Sequence, residues 1–110
     1  MSAKPSTHGK GRRALESALH NRETFKTSGS LRGERVDLTA GETPWAGRMP
    51  HDEVLTMGLN SSMRNGIHYI VFSYDTPIGF VYGDGSVDIP SASYSVTTSR
   101  HQGIVKTYLP

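Results

Sequence analysis

The stretch "IHYIVFSYDTPIGFVYGDGS" (Ile67–Ser86) decides the fold class of this 110-residue chain. Its two apolar runs, Ile67–Tyr74 and Ile78–Tyr82, are rich in β-branched and aromatic residues, which favour strands. The Asp84–Gly85 pair suits a tight hairpin turn, because such turns need positive φ and this pair tolerates it. Strands that follow one another through short turns are typical of an antiparallel sheet. The stretch therefore predicts the centre of such a sheet.

Pro77 lies between these two runs and has no backbone N–H to donate to a strand ladder. Two interpretations remain open for "SYDTPI" (Ser73–Ile78). It is either a turn between two strands or one long strand bent at a β-bulge, and we favour the bulge or a tight bend. Bulges often occur where a strand re-aims a side chain.

Further short strands are predicted on both sides of this centre. "VDI" (87–89) and "YSVTTS" (94–99) follow it and are separated by Pro90, so that residues 94–99 form the closing strand. Before it, "TFKTSGSLRGERVDL" (24–38) predicts two short strands around a turn near Arg32–Glu34. The sheet should therefore contain four to six strands.

The segment between residues 39 and 63 is interrupted by Pro44 and Pro50. Residues 51–57 suit a helical turn or two, because a proline precedes them and acidic residues favour a helix N-terminus. Trp45 is the one tryptophan of the chain, and we expect it to fill the core beneath this loop.

The N-terminal region predicts one short helix. Ala14, Leu15, Ala18 and Leu19 repeat at helical spacing within residues 10–22, with charged residues mainly on the other side, as in an amphipathic helix. Residues 1–9 lack an apolar period and are interpreted as a flexible basic tail. The prediction is one α+β domain over residues 10–110, a small curved antiparallel sheet with one N-terminal amphipathic helix.

The composition excludes several classes of protein. The chain has no cysteine, so a disulfide scaffold, a thiolate metal site and a cysteine nucleophile are not available. No segment approaches the ~18 continuous apolar residues of a membrane span, and the N-terminus has no apolar region of a secretory signal. We expect a cytoplasmic protein without a membrane partner.

Charge is distributed unevenly along the chain. Residues 1–35 contain eight Lys or Arg and three Glu, a net charge of +5, whereas residues 36–110 have a net charge of −3. A basic arm on a mildly acidic body is suited to a phosphate backbone or to an acidic protein surface. A solvated helix face followed by a tail explains the same pattern.

Two strings carry a family resemblance. "SYDTPIGFV" (Ser73–Val81) and "YSVTTSRHQG" (Tyr94–Gly103) resemble a signature of small uncharacterised proteins from actinobacteria and their bacteriophages. "FKTSGSLRG" (Phe25–Gly33) and "GRMP" (Gly47–Pro50) are similar to the usual lead-in of that family, so the resemblance spans residues 25–105. It implies a phage or mobile-element context, and it implies no activity and no residue roles.

The Tyr94–Gly103 string also contains the densest group of potentially chemical side chains. His101 is the natural general base or metal ligand of this group, and Ser99 or Thr98 is the candidate nucleophile. No spacing specifies a catalytic triad or a metal site, and "VYGDGS" lacks the lysine and helix of a phosphate loop. The structural alternative is that hydroxyls of this string bond to Ser73 or Thr76, which would join the two motifs.

We therefore expect a non-enzymatic phage accessory or regulatory protein, without cofactor or metal, that binds a host protein in the host cytoplasm. The alternative is a nucleic-acid-binding protein that uses the basic N-terminal helix and the Arg100–His101 pair. Exposed apolar surface would favour the first, and a continuous stripe of arginines would favour the second. The candidate binding residues are Arg12, Arg13, Arg32, Arg35, Arg100 and His101, and the candidate structural residues are Tyr74, Thr76, Pro77, Thr97 and Ser99.

Overall fold

The computed structural model describes residues 11–27, 29–90 and 96–109. The predicted tail at residues 1–9 lies outside these residues. Within the described chain there are three helices and five strands, in the order α1 (Gly11–His20), β1 (Phe25–Lys26), β2 (Leu31–Leu38), α2 (His51–Met63), β3 (Ile67–Ser73), β4 (Thr76–Tyr82), β5 (Val87–Asp88) and α3 (Val96–Tyr108).

The five described strands form one antiparallel sheet in the order β1-β2-β3-β4-β5. Each strand pairs with the next strand along the chain. Residues 39–66, which include α2, connect β2 to β3, whereas short turns join the other strands. The long pairings join β2 to β3 and β3 to β4, which places the two central apolar runs in the middle of the sheet. The predicted α+β class with a curved antiparallel sheet is confirmed.

Both faces of the sheet are covered, which explains why β3 and β4 are apolar almost throughout. Alternate residues of a strand point to opposite faces. Tyr69 and Val71 pack with α1 and α3 in one core cluster, whereas Ile70 and Phe72 pack in a second cluster beneath α2. The protein therefore has three layers, with the sheet between one helix on one side and two helices on the other.

Pro77 lies just after a turn and beside a bulge, so each of the two interpretations describes part of the segment. β3 ends at Ser73, and β4 begins at Thr76 after two turn residues. The register then shifts by one residue, because Val71 pairs with Gly79 but Phe72 pairs with Pro77. The extra residue, Ile78, belongs to the α1/α3 cluster, whereas Phe80 belongs to the α2 cluster. The bulge therefore moves Ile78 off the face that its spacing from Phe80 predicts.

The strand predicted at residues 94–99 is wrong over the described part of that segment, where α3 begins at Val96. The buried residues of α3 recur at helical spacing and face the sheet. Two of the first positions on this face, Thr98 and His101, are polar, and they precede the buried Ile104, Val105 and Leu109. The run of β-branched hydroxyl residues therefore favoured a strand in the sequence and hid the helical period.

Two other expectations were also wrong, and the helix expected at residues 51–57 is longer than predicted. The turn near Arg32–Glu34 lies inside β2, and the chain instead turns between β1 and β2, where the Thr27 hydroxyl donates to the Leu31 carbonyl at 2.7 Å. The helical turn or two at residues 51–57 is a helix of 13 residues. Trp45 is 77% exposed, and Met49, which comes later in the same loop, is the residue buried in the core under α2.

Candidate functional site

Helix α2 exposes an apolar stripe on the side that faces away from the sheet. Leu55, Leu59 and Met63, which we call the outer stripe, are 57%, 64% and 78% exposed. They are spaced four residues apart, so they lie along one face of the helix over ~12 Å. Met57 and Ser61 are buried on the opposite side. The helix is therefore apolar on both sides, and only its inner side has a partner within the described structure.

Hydrogen bonds to the preceding loop hold α2 in place. The Ser61 hydroxyl donates to the Glu42 carbonyl at 2.7 Å and accepts from the Gly41 amide at 3.2 Å. Nearer the start of the helix, the Arg48 amide donates to the Thr76 hydroxyl at 2.8 Å. Because these bonds join the loop to both α2 and β4, the outer stripe is presented by a fixed helix.

The charges around α2 give the outer stripe a polarity. Asp52 and Glu53 lie in the first turn of the helix, where a carboxylate interacts favourably with the helix dipole. Asp52 is exposed and lies three residues before Leu55, on the same face as the outer stripe. The surface is therefore a short apolar ridge with a negative charge at its N-terminal end.

The structure does not bring the predicted binding arginines of β2 together. Arg32 pairs with Phe72, its guanidinium lies 4.3 Å from the centre of the Phe72 ring, and it donates to the Tyr74 carbonyl at 2.8 Å. Arg35 pairs with Tyr69, which belongs to the opposite face of the sheet. The two guanidinium groups therefore lie on opposite sides of the sheet.

The remaining predicted binding residues lie on α1 and α3, on one side of the sheet. Arg12 forms an ion pair with Glu16 at 3.1 Å, and its guanidinium lies 5.7 Å from the centre of the Tyr108 ring. Arg13 and Arg100 are exposed. The sixth residue, His101, is buried.

A buried polar cluster joins α3 to the end of β3. The Ser73 hydroxyl lies 2.8 Å from His101 Nδ1 and 3.2 Å from the Thr98 hydroxyl, and all three side chains are buried. Burial, together with the nearby Arg100 charge, lowers the pKa of His101. Ser73 is 1% exposed and His101 is 5% exposed. A substrate carbonyl cannot reach this Ser–His pair, so its hydrogen bond contributes to packing between α3 and the sheet.

The candidate structural residues have different surroundings. Thr76 and Pro77 are buried at the start of β4, and Tyr74 is exposed in the preceding turn. Thr97 and Ser99 are exposed on α3, so the hydroxyl contact to Ser73 is made by Thr98 instead. Ser95, another hydroxyl residue of the Tyr94–Gly103 string, lies outside the described residues.

Within residues 11–27, 29–90 and 96–109, no group of three or more histidine and carboxylate side chains is positioned to hold a metal ion. None of the helices in this part of the chain is both long enough and apolar enough to cross a membrane.

A family model described as a family of unknown function (DUF8033) matches residues 13–107. The chain belongs to this family. No curated protein and no solved structure matches the chain. The expectation of an uncharacterised family is confirmed, and the DUF8033 match extends beyond the predicted resemblance to include most of α1.

Sequence reasoning missed the outer stripe within this DUF8033 protein. The spacing of Leu55, Leu59 and Met63 is visible in the sequence. However, Val54 and Met57 belong to the same helix and supply a second apolar face, so helical period alone does not say which face meets the sheet. The sequence did contain one signal of the outer stripe. Apolar residues occur on both sides of this helix, although packing on one face of a sheet requires only one apolar side.

Proposed function

We propose that this protein is a non-enzymatic binding protein that docks the outer face of α2 into an apolar groove of a partner protein. The observation that carries the proposal is the outer stripe, because a contiguous exposed apolar surface on a soluble domain is typical of an interaction site. The resemblance to actinobacteriophage proteins makes a host protein in the cytoplasm the partner that we propose, with the chain acting as a phage accessory or regulatory protein.

The chemistry of the surface supports a groove as the partner site. An amphipathic helix that enters a groove uses anchor side chains one turn apart, and Leu55, Leu59 and Met63 have this spacing. Asp52, at the end of the same face, would meet a basic residue at the rim of the groove. The proposed partner therefore presents an apolar groove with a lysine or arginine at one end.

A second copy of this chain is a less suitable partner. A stable interface buries ~800 Å² on each side, and two helices that touch along ~12 Å of ridge bury less than this. A groove also covers the flanks of the helix and so reaches a larger area from the same three anchors.

The energetic contribution of the outer stripe is moderate. Full burial of a Leu or Met side chain contributes about 1.5–3 kcal/mol. The three partly exposed anchors would therefore supply roughly 3–6 kcal/mol between them, whereas a micromolar complex requires about 8 kcal/mol after the entropic cost of association. We expect contacts around the three anchors to supply the difference.

Nucleic-acid binding remains the alternative, with less support. A phosphate backbone is bound by cations that lie along one surface. Arg32 and Arg35 belong to opposite faces of the sheet, and His101 is buried. Of the predicted basic set, Arg13, Arg35 and Arg100 are exposed and could still contact phosphates.

The experiment is a pull-down with the full-length chain from an actinobacterial lysate, with and without nuclease. The stripe variant carries Leu55→Gln, Leu59→Gln and Met63→Gln, because glutamine keeps the helix propensity near that of leucine and methionine. The matched control carries Arg13→Gln and Arg100→Gln, which changes exposed charge on the other side of the sheet. Circular dichroism and thermal melting must show that both variants fold.

The proposal predicts capture of a discrete protein that resists nuclease, is lost with the stripe variant and is retained by the arginine control. Capture that is lost after nuclease treatment, or with the arginine control alone, would instead support nucleic-acid binding. Sedimentation of the purified chain is the remaining check. A dimer that the stripe variant converts to a monomer would identify a second copy as the occupant and overturn the proposal of a groove in another protein.

A further inference from the structure

A basic cleft lies between the end of α1 and strands β2–β4. Its volume is about 460 Å³, within the range of small-molecule sites, and it shares no residue with the outer stripe. Arg22, Arg35 and His68 line it, and no carboxylate is found among the described residues of its lining. Arg22 and Arg35 come from the basic first 35 residues of the chain, and His68 comes from β3. The cleft therefore brings two cationic side chains and a histidine together.

Backbone carbonyls hold the two guanidinium groups in position. Arg35 Nε donates to the Arg22 carbonyl at 2.7 Å, and the Arg35 amide donates to the Thr24 hydroxyl at 3.0 Å. Arg22 Nη2 donates to the Gly85 carbonyl at 3.3 Å. Anchored arginines lose less conformational freedom on binding an anion than mobile ones, so this arrangement is preorganised.

His68 enters the cleft through a bulge in the sheet. Between β2 and β3, Arg35 pairs with Tyr69 and Leu38 pairs with Ile67, so the register breaks at residue 68. Between β3 and β4 the register breaks at the same place. His68 is therefore the extra residue in the β3–β4 ladder, whereas in the β2–β3 ladder the extra residue is on β2, where Val36 and Asp37 lie opposite His68. His68 is exposed. Bulges of this kind re-aim a side chain beside a functional site.

The backbone conformation of Arg22 is the most informative feature of the cleft. The Arg22 amide donates to the Leu19 carbonyl and the Glu23 amide donates to the Ala18 carbonyl, which is the Schellman pattern that ends a helix. Arg22 has φ +54°, in the left-handed region where glycine is the usual residue at this position. Residues held in such conformations cluster at binding sites. An arginine at this position places a guanidinium group at the cleft at the cost of backbone strain.

We propose that the cleft is a binding site for a phosphate monoester. Guanidinium groups recognise phosphate oxygens through paired hydrogen bonds, and His68 adds a third donor. A monoester dianion has three terminal oxygens and nearly two charges, whereas a carboxylate offers two oxygens and one charge, so the three groups suit the phosphate better. The cleft volume admits a ligand of about nucleotide size. The phosphate could belong to a free nucleotide or to the 5′ end of a nucleic-acid strand.

Titration calorimetry and NMR with inorganic phosphate, AMP and adenosine test the site directly. We expect AMP to bind with a Kd of roughly 1 mM or tighter, and adenosine to bind at least about tenfold more weakly. An oligonucleotide with a 5′-phosphate should bind more tightly than the same strand without it if the source is a strand end, and no better than AMP if the source is a free nucleotide. Equal affinities for AMP and adenosine would overturn the proposal. So would equal affinities for the oligonucleotides with and without the 5′-phosphate, if AMP also shows no binding.

The variant Arg22→Gly separates binding from folding. Glycine suits the left-handed conformation, so the thermal midpoint should stay unchanged or rise while AMP affinity falls by about tenfold or more. Arg35→Lys keeps the charge but removes the paired donors, and it should also weaken AMP binding. Tyr74→Gly is the matched control, because Tyr74 also has a positive φ. Tyr74 follows the last residue of β3, whereas the cleft lies near the start of that strand, at His68. Unchanged AMP affinity in Arg22→Gly, or an equal loss in Tyr74→Gly, would refute the site.

Discussion

The Ser73–His101 hydrogen bond should stabilise the docking of α3 on the sheet, and Ser73→Ala is the change that tests it. Ser73 Oγ is 2.8 Å from His101 Nδ1 and 3.2 Å from Thr98 Oγ1, in a buried site. Removing the hydroxyl takes a partner from two buried polar groups, and each such loss costs about 1–3 kcal/mol. Since Thr98 has other interactions, we expect a loss of about 2 kcal/mol in the free energy of unfolding.

Urea denaturation followed by circular dichroism is the assay. A loss of this size lowers the thermal midpoint of a domain of this length by ~8 °C. His101→Phe removes the other partner while keeping a ring in the same space, and the double variant completes a double-mutant cycle. Because two apolar groups can replace a buried polar pair at little cost, the double variant should be more stable than the sum of the single losses predicts, by about 1 kcal/mol or more.

Arg100→Ala is the matched control, since Arg100 is the exposed neighbour of His101 in the same helix. Its free energy of unfolding should stay within about 0.5 kcal/mol of wild type. Two results would refute the reasoning. One is a Ser73→Ala variant as stable as Arg100→Ala, and the other is strict additivity of the two single changes.

Three further predictions concern stability and exposure. The pKa of His101 is lowered in the folded protein, so the unfolded chain takes up the proton at a higher pH than the folded protein. The free energy of unfolding should therefore fall as pH drops below ~6.5. In urea titrations at different pH values, His101→Phe should lack this part of the pH dependence. Gly79→Ala should lower the free energy of unfolding by ~1–3 kcal/mol, because its Cβ would lie 2.8 Å from Val105 Cγ1. Gly103 lies in α3 with open space around it, so Gly103→Ala should raise the free energy of unfolding by roughly 0.5–1 kcal/mol in the same denaturation assay. Trp45 should give the emission of a solvent-exposed indole that iodide quenches readily in the native state, and a quenching-resistant signal would contradict its exposure.

The sheet was predictable from the sequence because its central residues carry their own signal. Two runs of β-branched and aromatic residues, on either side of Asp75–Pro77, predict strands of an antiparallel sheet, although they left open whether a turn or a bulge connects them. The helix at residues 11–20 was predictable for a similar reason, since its buried residues recur at helical spacing. In both cases the local pattern and the burial in the structure agree.

The identity of α3 required the tertiary structure. Its sheet-facing side begins with Thr98 and His101, which look like surface residues until Ser73 supplies a buried hydrogen-bonding partner. A polar residue can occupy the core when its hydrogen bonds are satisfied there. That partner is 25 or more residues away, so no local pattern could reveal it.

Both candidate surfaces were also decided by tertiary structure. Arg22, Arg35 and His68 are far apart in the sequence and meet because the strands between them pair. The two apolar sides of α2 are equivalent by helical period, and packing on the sheet buries Met57 while leaving Leu55 exposed. The sequence by itself determined where the chain forms its central strands and its first helix, through short-range period and turn chemistry. Which faces are covered and which remain available to a partner depended on contacts between distant segments.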